Sequence, residues 1–83
     1  MDKETRLKKL YFRSAHRGSK ETDLMLGPYA SENLVKMSDA ELDKFEAFIA
    51  EQDTDIWDWV NSASDNYPNK YDSLVAKLRQ RYS

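Results

Sequence analysis

The chain has 83 residues, a net charge of −2 and no cysteine. That bounds it to one small domain, residues 1–83, held by apolar packing alone, and excludes disulfides and thiolate metal sites. No apolar run reaches the length of a membrane span and no signal-peptide core opens the chain, while Asp2 and Glu4 argue against an acid-poor mitochondrial presequence; a cytoplasmic location is expected.

Helix is the only pattern that recurs along the chain. Leu7, Leu10, Tyr11 and Ser14 share one face at helical spacing, with Asp2 as a suitable N-cap. Gly18 suits a left-handed position that ends this first helix. A second helix should begin near Ser19, with Glu21 and Asp23 in its first turn, where acids are favoured. Leu24, Met25 and Leu26 begin its buried part, and Gly27-Pro28 is expected to interrupt it, because proline lacks the N–H the ladder needs. A shorter continuation through Asn33 to Val35 should follow.

Ser38-Asp39-Ala40-Glu41 is a capping-box sequence that opens a third helix with the stripe Leu42, Phe45, Phe48, Ile49. Asp53 or Thr54 should cap a short fourth helix carrying Ile56, Trp57, Trp59 and Val60. The two tryptophans lie two residues apart, so a helix cannot bury both on one face. Trp59 shares its face with Ile56 and Val60 and belongs to the core. Trp57 is left either as a partner contact or as covered by a neighbouring helix. Asn66-Tyr67-Pro68 marks the last turn, with proline near the start of a fifth helix, a position it favours. Tyr71, Leu74, Val75, Leu78 and Tyr82 form that helix's stripe. Short connections and no strand signal predict an all-α, compact five-helix bundle.

Charge is distributed unevenly. Residues 1–20 carry seven Lys/Arg against two acids, residues 21–65 twelve acids against two lysines, and the last eighteen residues four bases against one acid. Basic ends flank an acidic middle. A pI near 5.3 is opposite to the usual nucleic-acid footprint, so no nucleic-acid partner is expected. His16 is the only histidine and lacks a zinc-ligand or triad companion; it reads as a surface residue of the first helix's last turn. There is no nucleophile elbow and no phosphate-cradling glycine loop. These observations point away from an enzyme and from metal chemistry.

Arg17-Gly18-Ser19-Lys20-Glu21-Thr22-Asp23 stands out instead. One glycine turns a basic helix into a second helix, with an arginine and a carboxylate flanking the corner. An arginine fork can engage a carboxylate or carbonyl bidentately, and a glycine lets a partner backbone approach. The plain alternative is a helix end, a first-turn acid and a surface arginine.

Taken with Arg13, Leu26, Leu42-x-x-Phe45, Phe48-Ile49 and Asp53-x-Asp55-Ile56-Trp57-x-Trp59, the string Arg17-Gly18-x-x-Glu21-x-Asp23 resembles the FAD assembly factors of succinate dehydrogenase, the SdhE family, over residues 6–82. The resemblance implies a five-helix fold and a non-enzymatic assembly chaperone. Its implied partner is the flavoprotein subunit of succinate dehydrogenase, or of fumarate reductase, on which it promotes covalent attachment of FAD. In that reaction a histidine of the partner bonds to the flavin 8α-methyl carbon. FAD is then delivered to or attached on the partner and is not held stably by the factor, which is expected to be a monomer when free and not to enter a membrane. Carried over by position, Arg17, Gly18 and Glu21 are the functional motif, with Asp23 supporting the same surface. Eukaryotic members carry an import segment, which favours the bacterial cytoplasm for this chain. An older view of the family supplies the alternative: a helical antitoxin of a toxin–antitoxin pair.

Overall fold

The computed structural model describes residues 2–62 and 65–82. Five α-helices follow one another: α1 (Lys3–Ala15), α2 (Lys20–Asn33), α3 (Asp39–Ile49), α4 (Asp53–Asn61) and α5 (Asp72–Tyr82). Two single 3₁₀ turns, Leu34–Lys36 and Asn69–Tyr71, lead out of α2 and into α5. No strand occurs among the described residues, so the all-α five-helix bundle is the observed fold.

Local chemistry accounts for most of the boundaries. The Asp2 carboxylate accepts the Thr5 N–H at 2.8 Å and caps α1. Ser38 and Glu41 form the expected reciprocal capping box: the Glu41 N–H donates to Ser38 Oγ at 3.2 Å, and the Ser38 N–H donates to Glu41 Oε1 at 3.0 Å. α4 departs from expectation. Its N-cap is Gln52, which makes no side-chain cap bond, and Asp53 is the first helical residue. The Asp53 carboxylate is engaged elsewhere, by Arg17, so it is not available to cap its own helix.

α2 also departs from expectation, since Gly27-Pro28 does not interrupt it: the helix runs unbroken from Lys20 to Asn33 with Pro28 inside. Two features make this tolerable. Leu24, whose carbonyl would have received the missing bond, and Pro28 are both exposed, so water can serve the freed acceptor. The residue before the proline is a glycine, which lacks the Cβ that clashes with a following proline ring in helical geometry. Gly27 is itself buried, because α1 crosses α2 there; a Cβ on Gly27 would lie 3.2 Å from that of Ala15.

The core draws on all five helices. Leu10, Met25, Leu26, Tyr29, Leu42, Phe45, Phe48, Ile49, Ile56, Val60, Tyr71, Leu74, Val75 and Leu78 are all buried, which matches the stripe read for α3; of the stripe read for α5, Tyr71 to Leu78 are buried but Tyr82, in the last turn, stands exposed. Phe48 meets the edge of Tyr71 at 5.1 Å between ring centroids, and Trp59 lies 6.0 Å from Phe48 and 5.9 Å from Tyr71. Such pairs contribute about 0.5–1.5 kcal/mol each beyond area burial. Trp59 thus joins the core, as its helical face required. Leu24 does not: at 62% exposure it stands outside. Three consecutive helical residues are about 100° apart in turn and cannot all face one core, so only Met25 and Leu26 are buried. Buried Ser14 returns its hydroxyl to the Leu10 carbonyl at 2.7 Å and costs no unsatisfied group.

The uneven charge folds onto itself. Arg6 of basic α1 bridges Asp43 at 2.6 Å and Glu46 at 3.1 Å on acidic α3. Near the other end of the chain, Arg81 meets Glu32 at 2.7 Å. The basic ends are therefore partly spent as clamps on the acidic middle, and the site is built on one of these clamps.

Candidate partner-docking corner

α1 ends at Ala15 with His16 as C-cap, and the His16 N–H donates to the Phe12 carbonyl at 3.0 Å. The exposed His16 ring stacks on Phe12, 4.3 Å between centroids and 18° between planes. Two residues beyond the cap, Gly18 takes φ +89°, the only positive φ among the described residues. It turns the chain as expected, from a position just outside the helix end. A Cβ built there meets no atom within 4 Å, so the conformation and not crowding asks for glycine.

The corner is locked from within by Asp23. Its Oδ1 accepts the Arg17 backbone N–H at 2.7 Å, while its own N–H donates to the Ser19 carbonyl at 2.8 Å and starts the α2 ladder. Buried Thr22 adds a bond from Oγ1 to Ser19 Oγ at 3.1 Å. An acid in the first turn that binds the backbone just before the helix satisfies a free donor and complements the helix dipole together.

The Arg17 guanidinium corrects one expectation. Instead of forming a fork held out to a partner, its side chain is only 10% exposed and its donors are used inside the molecule. Nε–H donates to Asp53 Oδ1 at 2.5 Å, one terminal nitrogen to the Ile49 carbonyl at 2.5 Å and the other to the Glu51 carbonyl at 2.9 Å. Ile49 ends α3 and Asp53 begins α4. One cation therefore closes the carbonyl end of α3, where a positive charge is favoured, and pairs with the acid that opens α4. Arg17 is the pin that fastens the α1–α2 corner to the α3–α4 junction.

All four candidate residues meet at this corner, in two roles. Arg17 and Asp23 hold it from inside; Gly18 and Glu21 face outward, both exposed. The Glu21 carboxylate approaches only the Ser19 hydroxyl, at 3.5 Å, and meets no cation among the described residues. Beside it lie two shallow depressions that share Glu21 and Trp57. One, of about 300 Å³, is walled by Leu24, Met25, Asn61 and Tyr82. The other, of about 390 Å³, is walled by Ser19, Thr22, Asp53 and Thr54. Trp57 is 39% exposed, the more exposed of its two alternatives. Among the described residues no group of His, Asp or Glu is placed to hold a metal ion, and no helix is long and apolar enough to cross a membrane. The arrangement offers a rigid polar edge with an apolar shelf beside it.

A family model described as flavinator of succinate dehydrogenase matches residues 8–82, the stretch that contains this entire corner. The chain belongs to that family. Among its relatives are proteins named succinate dehydrogenase assembly factor 2, mitochondrial. The one from Dictyostelium discoideum is 32% identical over 75 residues, covering 90% of this chain and 52% of the relative. The one from Meyerozyma guilliermondii is 34% identical and covers 95% and 61%. The one from Saccharomyces cerevisiae is 35% identical and covers 90% and 48%. This chain thus spans about half the length of the curated relatives it matches. No solved structure matches it. The flavinator family is the one the sequence resemblance pointed to, and an assembly factor is its described role.

Sequence reasoning missed Asp53 as the partner of Arg17, although both lie in the strings that carry the resemblance. No local signal links residues 36 positions apart. It also missed Leu24 and Tyr82 as neighbours of Trp57, because their meeting depends on how α2, α4 and α5 pack.

Proposed function

We propose that this protein is an assembly chaperone that docks through its α1–α2 corner on the flavoprotein subunit of succinate dehydrogenase, or of fumarate reductase, and promotes covalent attachment of FAD there. The observation that carries this reading is the outward-facing pair Gly18 and Glu21, held at a locked corner inside the family-matched stretch. A docking element works best when it loses little freedom on binding. Here Asp23 fixes the turn and Arg17 fixes the turn to the bundle, so Glu21 is offered on a rigid mount.

The chain contributes binding and the flavin contributes chemistry. In this reading the factor favours a partner conformation in which the accepting histidine lies close to the flavin 8α-methyl carbon, which is an orientation effect. FAD stays on the partner, the free chain is a monomer, and the compartment is the cytoplasm, although the relatives above are named as mitochondrial. Titration with FAD, sedimentation and fractionation check these three statements in turn.

The decisive experiment replaces the chromosomal copy with Gly18→Arg and reads covalent flavin by in-gel fluorescence of the flavoprotein subunit. Gly18→Ala is the control, because it carries the same positive-φ strain without the bulk. The expected result is loss of covalent flavin with arginine and retention with alanine. Normal flavin loading in the arginine variant would overturn the site.

A further inference from the structure

Leu24, Trp57 and Tyr82 come from α2, α4 and α5 and are 62%, 39% and 36% exposed. They are far apart in sequence, yet they surround a single depression of about 300 Å³ with Glu21 at its edge. Isolated exposed apolar residues need no explanation, but three large ones drawn from three helices into one patch do. The patch is also braced. The Tyr82 hydroxyl donates to the Met25 carbonyl and ties the end of α5 to α2. The Asn61 side-chain amide donates to the Trp57 carbonyl at 3.0 Å and steadies the last turns of α4.

We infer that this shelf is the apolar half of the docking face, and that it receives from the flavoprotein an apolar side chain lying next to a basic one. The inference rests on the function proposed above and adds the chemistry of the segment that is recognised. Continuity supports one face: Glu21 and Trp57 border both this depression and the adjoining one at the corner. Charge complementarity supports the basic neighbour. Glu21 meets no cation among the described residues, whereas nearby Asp53 is already neutralised by Arg17. A tryptophan at the centre of such a patch is the side chain on which binding energy concentrates. A carboxylate at its rim steers an opposite charge and sets register.

The test measures binding of the purified flavoprotein subunit of succinate dehydrogenase to the whole chain and to five variants of retained helicity, Gly18→Arg among them. Trp57→Ala and Leu24→Ser are expected to weaken binding at least about tenfold each. Glu21→Lys is expected to weaken it more at low salt than at high salt. Val35→Ser, an exposed apolar residue that lines neither depression, is expected to leave it unchanged. If Gly18→Arg abolishes binding while Trp57→Ala and Leu24→Ser bind like the parent, the shelf inference fails and the proposed function stands. If the parent chain does not bind the subunit, the proposed function fails and the inference falls with it. A dimer of the free chain that Trp57→Ala dissociates would assign the shelf to a second copy and overturn the inference.

Discussion

Arg17 and Asp53 form an ion pair at 2.5 Å across 36 residues of sequence, and it joins two corners that the helices alone would leave unfastened. The arginine side chain is 10% exposed and the aspartate 30%, so the pair is partly desolvated while still at the edge of solvent. Its strength lies less in the charge than in the company it keeps. The same guanidinium donates to the Ile49 carbonyl that ends α3 and to the Glu51 carbonyl two residues beyond it.

Arg17→Ala should therefore cost about 2–3 kcal/mol, because charge-assisted hydrogen bonds to poorly hydrated acceptors are lost together. For a domain of this size each kcal/mol lowers Tm by about 4–8 °C. Asp53→Ala should cost less, since the two carbonyl bonds survive. Thermal unfolding of both single variants and the double variant checks this. The double-mutant cycle should return a coupling of about 0.5–3 kcal/mol. Additive effects would show that the pair is only a surface contact. Arg17→Lys should recover little, because an ammonium cannot span Asp53, Ile49 and Glu51 as the planar fork does.

That pin marks the limit of what the sequence revealed. α3 was legible because Ser38 and Glu41 report a local bond three residues apart and because its apolar stripe follows one period. Gly18 was legible because a positive φ demands a particular residue. The role of Arg17 is not legible, because a lone arginine looks the same whether it reaches outward or folds back, and its partners Ile49, Glu51 and Asp53 arrive only through tertiary packing. The place of Pro28 is not legible for a related reason: proline reports a missing donor, but whether that breaks a helix depends on which side faces water. Trp57 came closest among the candidate docking residues, since the two-residue spacing from Trp59 already forced one ring away from the core.

Gly18 makes a second prediction. Its φ of +89° is costly for any residue with a Cβ, yet a Cβ would meet no neighbour. Gly18→Ala should lower stability by about 1–2 kcal/mol through backbone strain alone. Gly18→Asn should lower it less, since asparagine visits the left-handed region more readily. Urea unfolding should show a lower midpoint with an unchanged slope in both. A neutral alanine variant would mean that the turn relaxes to negative φ.

Gly27 makes the opposite case, in which space decides. A Cβ there would lie 3.2 Å from Ala15 Cβ and 3.5 Å from its Cα, where α1 presses on α2. Alanine would bring about 0.8–1 kcal/mol of helix propensity but must push α1 away by a few tenths of an ångström. Gly27→Val cannot be accommodated so and should cost about 1–3 kcal/mol by overpacking. Pairing Gly27→Ala with Ala15→Gly should restore the gap and bring stability close to that of the parent or above it. Chemical denaturation of the three variants tests this. A valine variant as stable as the parent would show that the two helices are not in firm contact.

The final prediction concerns pH, where two sets of groups act at opposite ends of the scale. Tyr71 is buried beneath Phe48 and Trp59 and donates its hydroxyl to Glu51 Oε2 at 2.9 Å. Burial first, and the bond to a carboxylate second, push the phenol up from 10.0 to about 12. The folded state therefore holds this proton more tightly than the unfolded chain does. Its contribution is complete below pH 10.0 and is lost as pH rises from there toward about 12. Tyr67, raised chiefly by its bond to Asp72, adds to the same decline. At the acid end, the backbone N–H of Thr5 holds Asp2 below its ordinary 3.8, and that of Ser38 holds Glu41 below its ordinary 4.5. These carboxylates stabilise the fold above their ordinary values, and the contribution fades as pH falls below them. Urea midpoints measured from pH 2 to 12 should form a plateau that falls on both sides. Tyr71→Phe should flatten the alkaline fall without moving the acid one, and Asp2→Asn with Glu41→Gln should do the reverse. An alkaline limb unchanged by Tyr71→Phe would show that the phenol keeps its proton no more tightly in the fold than outside it.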